Sequence, residues 1–218
     1  MTPLELIRAI RDTKARAGSQ AESLAVLSQA LVAFVSEPAN QHVNFATTTT
    51  GLYTRILLNA FEDDFQIVVV LWGPHSRSPI HDHSGTVGAV AALVGSTKET
   101  KYQVMHTKSG TAYLKKLKTT SLSGNQVTPI LPDEATQLHD MVNDTDEWAA
   151  TVHTYLTPVN QFYIYEPQQD GSFEMITKDL WFDVDNAWKS WYSPAVPASE
   201  VVPQPQDLAY EYGQSLNV

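Results

Sequence analysis

The chain has 218 residues, with 24 acidic against 14 basic side chains and a formal net charge of −10. That balance, with no lysine or arginine cluster able to track a phosphate backbone, argues against nucleic acid as a partner. Cysteine is absent, which excludes disulfides, thiolate metal sites and a cysteine nucleophile, so any metal must be held by nitrogen and oxygen ligands.

The opening segment, MTPLELIRAIRDTKARAG, carries too many charges for a secretory signal, and no apolar run is long enough to cross a bilayer. The expected compartment is therefore the cytoplasm, with no membrane partner. This segment reads as a helix. Thr2 caps it, Pro3 suits its first turn, Glu5 completes a capping box, and Leu4, Ile7 and Ile10 fall on one side. A second helix follows, with Leu24, Leu27, Leu31 and Phe34 spaced three and four apart until SEPAN stops it.

From about residue 44 the texture changes to short β-branched and aromatic runs separated by turn residues. YTRILLNAF, FQIVVVLWG, TVGAVAALVG, ETKYQVMHT, TAYLKKLKTTSL, NQVTPIL, WAATVHTYL and QFYIYEP each read as a strand. Closely spaced strands with no helical pattern between them predict a mainly β fold, an antiparallel sandwich or barrel. The expected organisation is a helical segment at 1–40, a barrel at 41–177 and an aromatic, proline-rich extension at 178–218, all one domain. That extension carries three of the five tryptophans. It is expected to pack them on the barrel and then run over the surface, with a lid or an oligomer contact as the alternative.

Chemistry enters at SPIHDHSG, residues 78–85. In a strand, residues i and i+2 point the same way, so His81 and His83 share a face while Asp82 looks away. Two imidazoles on one face can close on one metal ion, and His139 in PDEATQLHDMVN offers a third ligand. A histidine pair two apart also occurs on solvated edges, so its weight depends on the elements around it. His42, His75 and His106 have no partner at useful spacing and read as ordinary loop or turn residues.

Those elements resemble the two motifs of the cupin superfamily, small double-stranded β-barrels. The first reads as Gly73, His81-x-His83 and Gly95, and the second as Gly124, Pro132, His139 and Asn143. Many cupins place a glutamate shortly after the histidine pair as a fourth ligand. Here the matching stretch, SGTVGAV, has no acid. Three neutral imidazoles leave a divalent ion its full charge and open coordination positions, which suits an anionic substrate ligand.

The three-histidine version resembles the thiol dioxygenases, the family of cysteine dioxygenase, from about Tyr53 to Tyr155. The resemblance implies iron(II) on His81, His83 and His139, with a small thiol and dioxygen as partners. YTR (Tyr53, Thr54, Arg55) is similar to the family's substrate-carboxylate element and LWG (Leu71, Trp72, Gly73) to its pocket strand. GSTKETKY is similar to the stretch after the ligand pair. TVHTY is similar to the family's relay of hydroxyl, histidine and tyrosine, here Thr151, His153 and Tyr155.

The residue types agree with this likeness. Arg55 lies in an otherwise apolar strand, and an inward arginine requires an anion, for which a carboxylate is the bidentate match. His153 and Tyr155 are two apart on one strand, so both can face the interior. An outward Arg55 and a core Tyr155 are the plainer alternatives.

The implied reaction adds both atoms of dioxygen to the sulfur of a thiol, giving a sulfinate. Arg55 with Tyr53 would grip the carboxylate, and Tyr155, oriented by His153 and Thr151, would donate a hydrogen bond at the reacting centre. The sequence departs from the family in three places. Gly88 stands where animal members carry a cysteine crosslinked to the tyrosine, Leu156-Thr157-Pro158 replaces a serine with paired prolines, and the C-terminal extension has no counterpart.

Arginine at 55 resembles the cysteine-using branch, so L-cysteine is the first expectation. Mercaptosuccinate and 3-mercaptopropionate follow. A zinc or nickel cupin isomerase or lyase, and a non-enzymatic binding cupin, are the competing classes. The expected assembly is a monomer or small homo-oligomer.

Overall fold

The computed structural model describes residues 1–16, 18–133 and 137–192. Two helices come first, α1 (Pro3–Ala15) and α2 (Gln20–Val35), and each begins on a capping box. The hydroxyl of Thr2 accepts the Glu5 N–H at 3.3 Å, and the Glu5 carboxylate accepts the Thr2 N–H at 2.7 Å. Ser19 and Glu22 repeat the arrangement at 3.2 and 2.8 Å. The buried stripe of α1 runs through Pro3, Leu6, Ile7 and Ile10. Leu4, expected on that stripe, is exposed, because the three-and-four spacing starts one residue earlier, at Pro3.

Eleven strands follow among the described residues. They are β1 (Tyr53–Leu57), β2 (Gln66–Trp72), β3 (Ile80–His81), β4 (Gly88–Val94), β5 (Ser96–Lys108), β6 (Thr111–Ser123), β7 (Val127–Ile130), β8 (Leu138–Val142), β9 (Ala149–Tyr155), β10 (Gln161–Pro167) and β11 (Phe173–Asp179). The first sheet has five strands in the order β1-β2-β9-β4-β7, and the other six close into a ring, β10-β11-β6-β5-β8-β3. Every run read as a strand forms one. β3, β8 and β11 were not among those runs. β3 is two residues long, β8 carries His139 and Asp140 where an apolar alternation would show, and β11 is largely solvated.

β2 and β9 are buried along their whole length because both faces of the first sheet are covered. Ile67, Val69, Leu71, Ala89, Ala91, Leu93, Ala150 and Val152 pack against the two helices. The alternate residues Val68, Val70, Trp72, Val90, Ala92, Ala149 and Tyr155 turn inward and meet Met141, Phe162 and Ile164. One sheet thus separates a helix-packed core from the barrel interior, and strand alternation decides which residues serve each.

Gly88 lies in register with Tyr155 across β4 and β9. A Cβ at Gly88 would stand 2.2 Å from the Thr154 carbonyl oxygen, so the two backbones approach too closely for any side chain there. Asn143, fully buried, ties the end of β2 to the segment after β8. Its amide N–H groups reach the carbonyls of Gly73 at 3.1 Å and Glu147 at 2.7 Å, and its own backbone N–H donates to Ser76 at 2.9 Å.

After β11 the chain returns along β1, where Val184 bridges Ile56 in parallel. Leu180 and Phe182 pack on the inner cluster, Trp188 and Trp191 on the helix-side cluster, and Trp181 is exposed. The proline-rich stretch expected to run over the surface lies in 193–218, outside the described residues. No helix among the described residues is long and apolar enough to cross a membrane.

Candidate metal centre

His81 is the last residue of β3, paired in register with His139 of β8. His83 lies beyond the strand, contrary to the expectation that one strand aims both rings. The chain turns immediately after it through Ser84 (φ 51°) and Gly85 (φ 73°), both in the left-handed region. Asp82 fixes this turn. Its carboxylate accepts the N–H groups of Ser84 at 3.3 Å and Tyr163 at 3.2 Å, and its own N–H donates to Tyr163 at 3.1 Å.

The three rings nevertheless converge, with one nitrogen from each of His81, His83 and His139 lying within 4.8 Å of the others. Each Nδ1 faces an acceptor: the Pro79 carbonyl at 2.9 Å for His81, the Gln137 carbonyl at 2.8 Å for His83, and the Glu99 carboxylate at 2.6 Å for His139. Acceptors of this kind place the proton on Nδ1 and leave the Nε2 lone pairs bare. The Nε2 atoms of His83 and His139 are buried and have no hydrogen-bond partner. Buried lone pairs that converge without a donor are what a divalent ion satisfies, and they fit one here.

Electrostatics keep the rings neutral, as ligation requires. Burial is the main cause throughout. It pushes His81 down to about 4, and carries His83 and His139 well below the ordinary histidine value, with repulsion between the rings adding to it.

The opposite wall is β9. The Trp72 indole N–H donates to the Thr151 hydroxyl at 2.9 Å, the Thr151 hydroxyl lies 2.9 Å from His153 Nε2, and His153 Nδ1 lies 3.2 Å from the Tyr155 hydroxyl. Thr151 is fully buried, so its own proton must be used, and His153 Nε2 is the acceptor in reach. His153 therefore carries its proton on Nδ1 and donates to Tyr155, whose hydroxyl proton is left to point into the pocket. Burial lowers His153 to about 3 and raises the Tyr155 hydroxyl above its usual value, so the ring is neutral and the phenol is protonated.

Arg55 stands at the side, half-buried on β1. Its Nη2 donates to the Tyr53 hydroxyl at 3.0 Å, and the guanidinium carbon lies 5.0 Å from the Tyr53 ring centre and 5.1 Å from that of Trp181. Asp183 clips the Arg55 backbone from both sides, accepting its N–H at 2.9 Å and donating to its carbonyl at 2.9 Å. Tyr53 in turn packs on Trp72, with ring centres 5.1 Å apart.

One pocket is lined by Tyr53, Arg55, Trp72, His81, His83, His153 and Tyr155, with Val68, Val70, Met141, Val159, Phe162 and Leu180 as its apolar surface. Thr151 and His139 sit behind that lining, Thr151 hydrogen-bonded to Trp72 and His153, and His139 with its Nε2 turned toward His81 and His83. Sequence reading missed Glu99, Phe162, Leu180 and Trp181. The sequence does show Glu99 and Lys101 as opposite charges two apart in a strand run, hence on one face, but not that they meet His139. His75 does have a partner, the exposed carboxylate of Asp146 at 2.8 Å, and His106 stacks on Tyr113; neither lines the pocket.

A mainly β chain with two leading helices, a strand barrel and three converging imidazoles belongs to the cupin-type barrels able to hold a metal. The family model for cysteine dioxygenase type I matches residues 1–168, and the chain belongs to that family, a class of thiol dioxygenases. Cysteine dioxygenase type 1 of Rattus norvegicus and that of Mus musculus are each 28% identical to it over 148 residues, covering 67% of this chain and 71% of theirs. Among solved structures, a sugar phosphate isomerase of the cupin superfamily from Silicibacter pomeroyi aligns with TM-score 0.36 and 13% identity, covering 54% of this chain and 68% of that one.

Proposed function

We propose that the protein oxidises a small thiol carboxylate, L-cysteine first, to its sulfinic acid with dioxygen, in the cytoplasm, with iron(II) held by His81, His83 and His139. The observation that carries this reading is the convergence of neutral imidazoles whose Nδ1 protons are already engaged, facing a pocket that contains both Arg55 and Tyr155. Iron(II), when bound, supplies the open positions at which thiolate sulfur and dioxygen are brought together.

The chain's own residues do the rest. Arg55 is the one lysine or arginine lining the pocket among the described residues, and it offers a planar fork to a single carboxylate. Tyr53 and Trp181 on its faces hold that fork in place. Tyr155 is a fixed donor aimed at the centre, oriented through His153, Thr151 and Trp72. Val68, Val70, Phe162 and Leu180 exclude water and strengthen each polar contact inside.

The test is dioxygen uptake by iron(II)-loaded protein given L-cysteine, 3-mercaptopropionate and mercaptosuccinate in parallel, with the product identified by mass. The expected result is uptake with L-cysteine and formation of cysteine sulfinate. Uptake with a different thiol alone would move the substrate, and no uptake with any of them despite bound iron would overturn the reading.

A further inference from the structure

The stretch after the histidine pair has no acid, yet a carboxylate does reach the histidine group from behind. β5 runs beside β8 with Lys101 opposite His139 and Glu99 opposite Met141, so the Glu99 and Lys101 side chains point inward together. Glu99 Oε1 lies 2.6 Å from His139 Nδ1 and 2.9 Å from Lys101 Nζ, with side-chain exposures of 0% for His139, 2% for Glu99 and 12% for Lys101. Lys101 also donates to the Pro129 carbonyl at 2.9 Å.

We propose that Glu99, paired with Lys101 in the interior, is the positioning residue of the metal centre: it sets the tautomer and orientation of His139 and makes it the strongest donor of the three. The inference rests on the reading of His139 as a ligand. His81 and His83 lean on neutral peptide carbonyls, whereas His139 alone leans on a carboxylate. A carboxylate accepting the far N–H of an imidazole raises the basicity of its other nitrogen. An anion alone in that interior would be costly, and the Lys101 ammonium on the same oxygen offsets the charge. The arrangement draws on a carboxylate without spending a coordination position on it. Those positions stay open on the pocket side.

The test is a titration of the metal-free protein with Co(II), without thiol or dioxygen, followed by the visible absorption of the bound ion, with thermal melting of the metal-free protein alongside. Glu99→Gln keeps an acceptor and removes the charge. The double variant Glu99→Gln, Lys101→Met removes both charges and guards against a variant that does not fold. The expected result is Co(II) affinity roughly 10- to 100-fold weaker in both variants, with the double variant melting close to the native protein. Affinity within about twofold of native in both would overturn the proposal, because a purely structural contact leaves the metal's binding unchanged. Recovery of native affinity in the double variant would also overturn it, assigning the loss to an unpaired buried lysine. Because the readout needs no turnover, weakened Co(II) binding in a protein that oxidises none of the thiols would sink the substrate reading and leave this one standing.

Discussion

The two walls of the pocket are built by different means. On one, β2, β4 and β9 are continuous strands with both faces covered, and the relay residues Thr151, His153 and Tyr155 follow from alternation along β9. On the other, His81 ends a two-residue strand, and His83 occupies a turn held by Asp82 and by two left-handed residues. Regular sheet aims side chains in parallel rows. Bringing three rings to one point takes irregular backbone, and that backbone is fixed by individual hydrogen bonds.

The largest break comes on the irregular wall. His83→Ala is expected to abolish metal retention and turnover while the barrel still folds, since the first sheet and its helices are untouched; metal analysis beside circular dichroism checks this. Full metal content with a full rate would remove His83 from the site. Arg55→Ala, on the edge of the regular wall, should keep its metal and lose roughly 2 to 5 kcal/mol in kcat/KM for the thiol carboxylate. Steady-state kinetics decide it, and an unchanged value would mean the carboxylate is gripped elsewhere.

Gly88→Ala tests the regular wall itself. The added Cβ meets the Thr154 carbonyl at 2.2 Å, so denaturant unfolding should show a loss of about 1 to 3 kcal/mol or more. The same contact argues that a cysteine placed there would distort the sheet before it could reach Tyr155.

The smallest effect lies far from both walls. The Glu22 carboxyl is held below its ordinary 4.5 by hydrogen bonds from Ser19. A depressed carboxylate stabilises the fold above its unfolded value, and that contribution is lost as the pH falls through the folded one. Glu22→Gln preserves the cap's geometry, so its melting should fall slightly below native near neutrality and converge with it on acidification. A gap that widens in acid would contradict this.

Much of this was legible in the sequence because the relevant spacings are local. The spacing of His153 and Tyr155 puts them on one face, and the capping box at Thr2 is read from a three-residue offset. His81 and His83 do converge, but through a turn closed by contacts with Tyr163 and Gln137, far away in the chain. Glu99 meets His139 only through the pairing of β5 with β8, and Trp181 meets Arg55 only because the chain comes back along β1. Contacts of that kind depend on register between distant strands, which no local pattern encodes.

The fully buried Asn143 has a consequence for how the protein fails. It fastens the end of the Trp72 strand to the strand bearing His139, at the junction of the two walls. A partial opening that frees the histidines while leaving the sheet intact would have to break those bonds in the interior, with no water to replace them. Heat inactivation should therefore coincide with global melting, and amide protons around Asn143 should exchange only when the whole molecule unfolds.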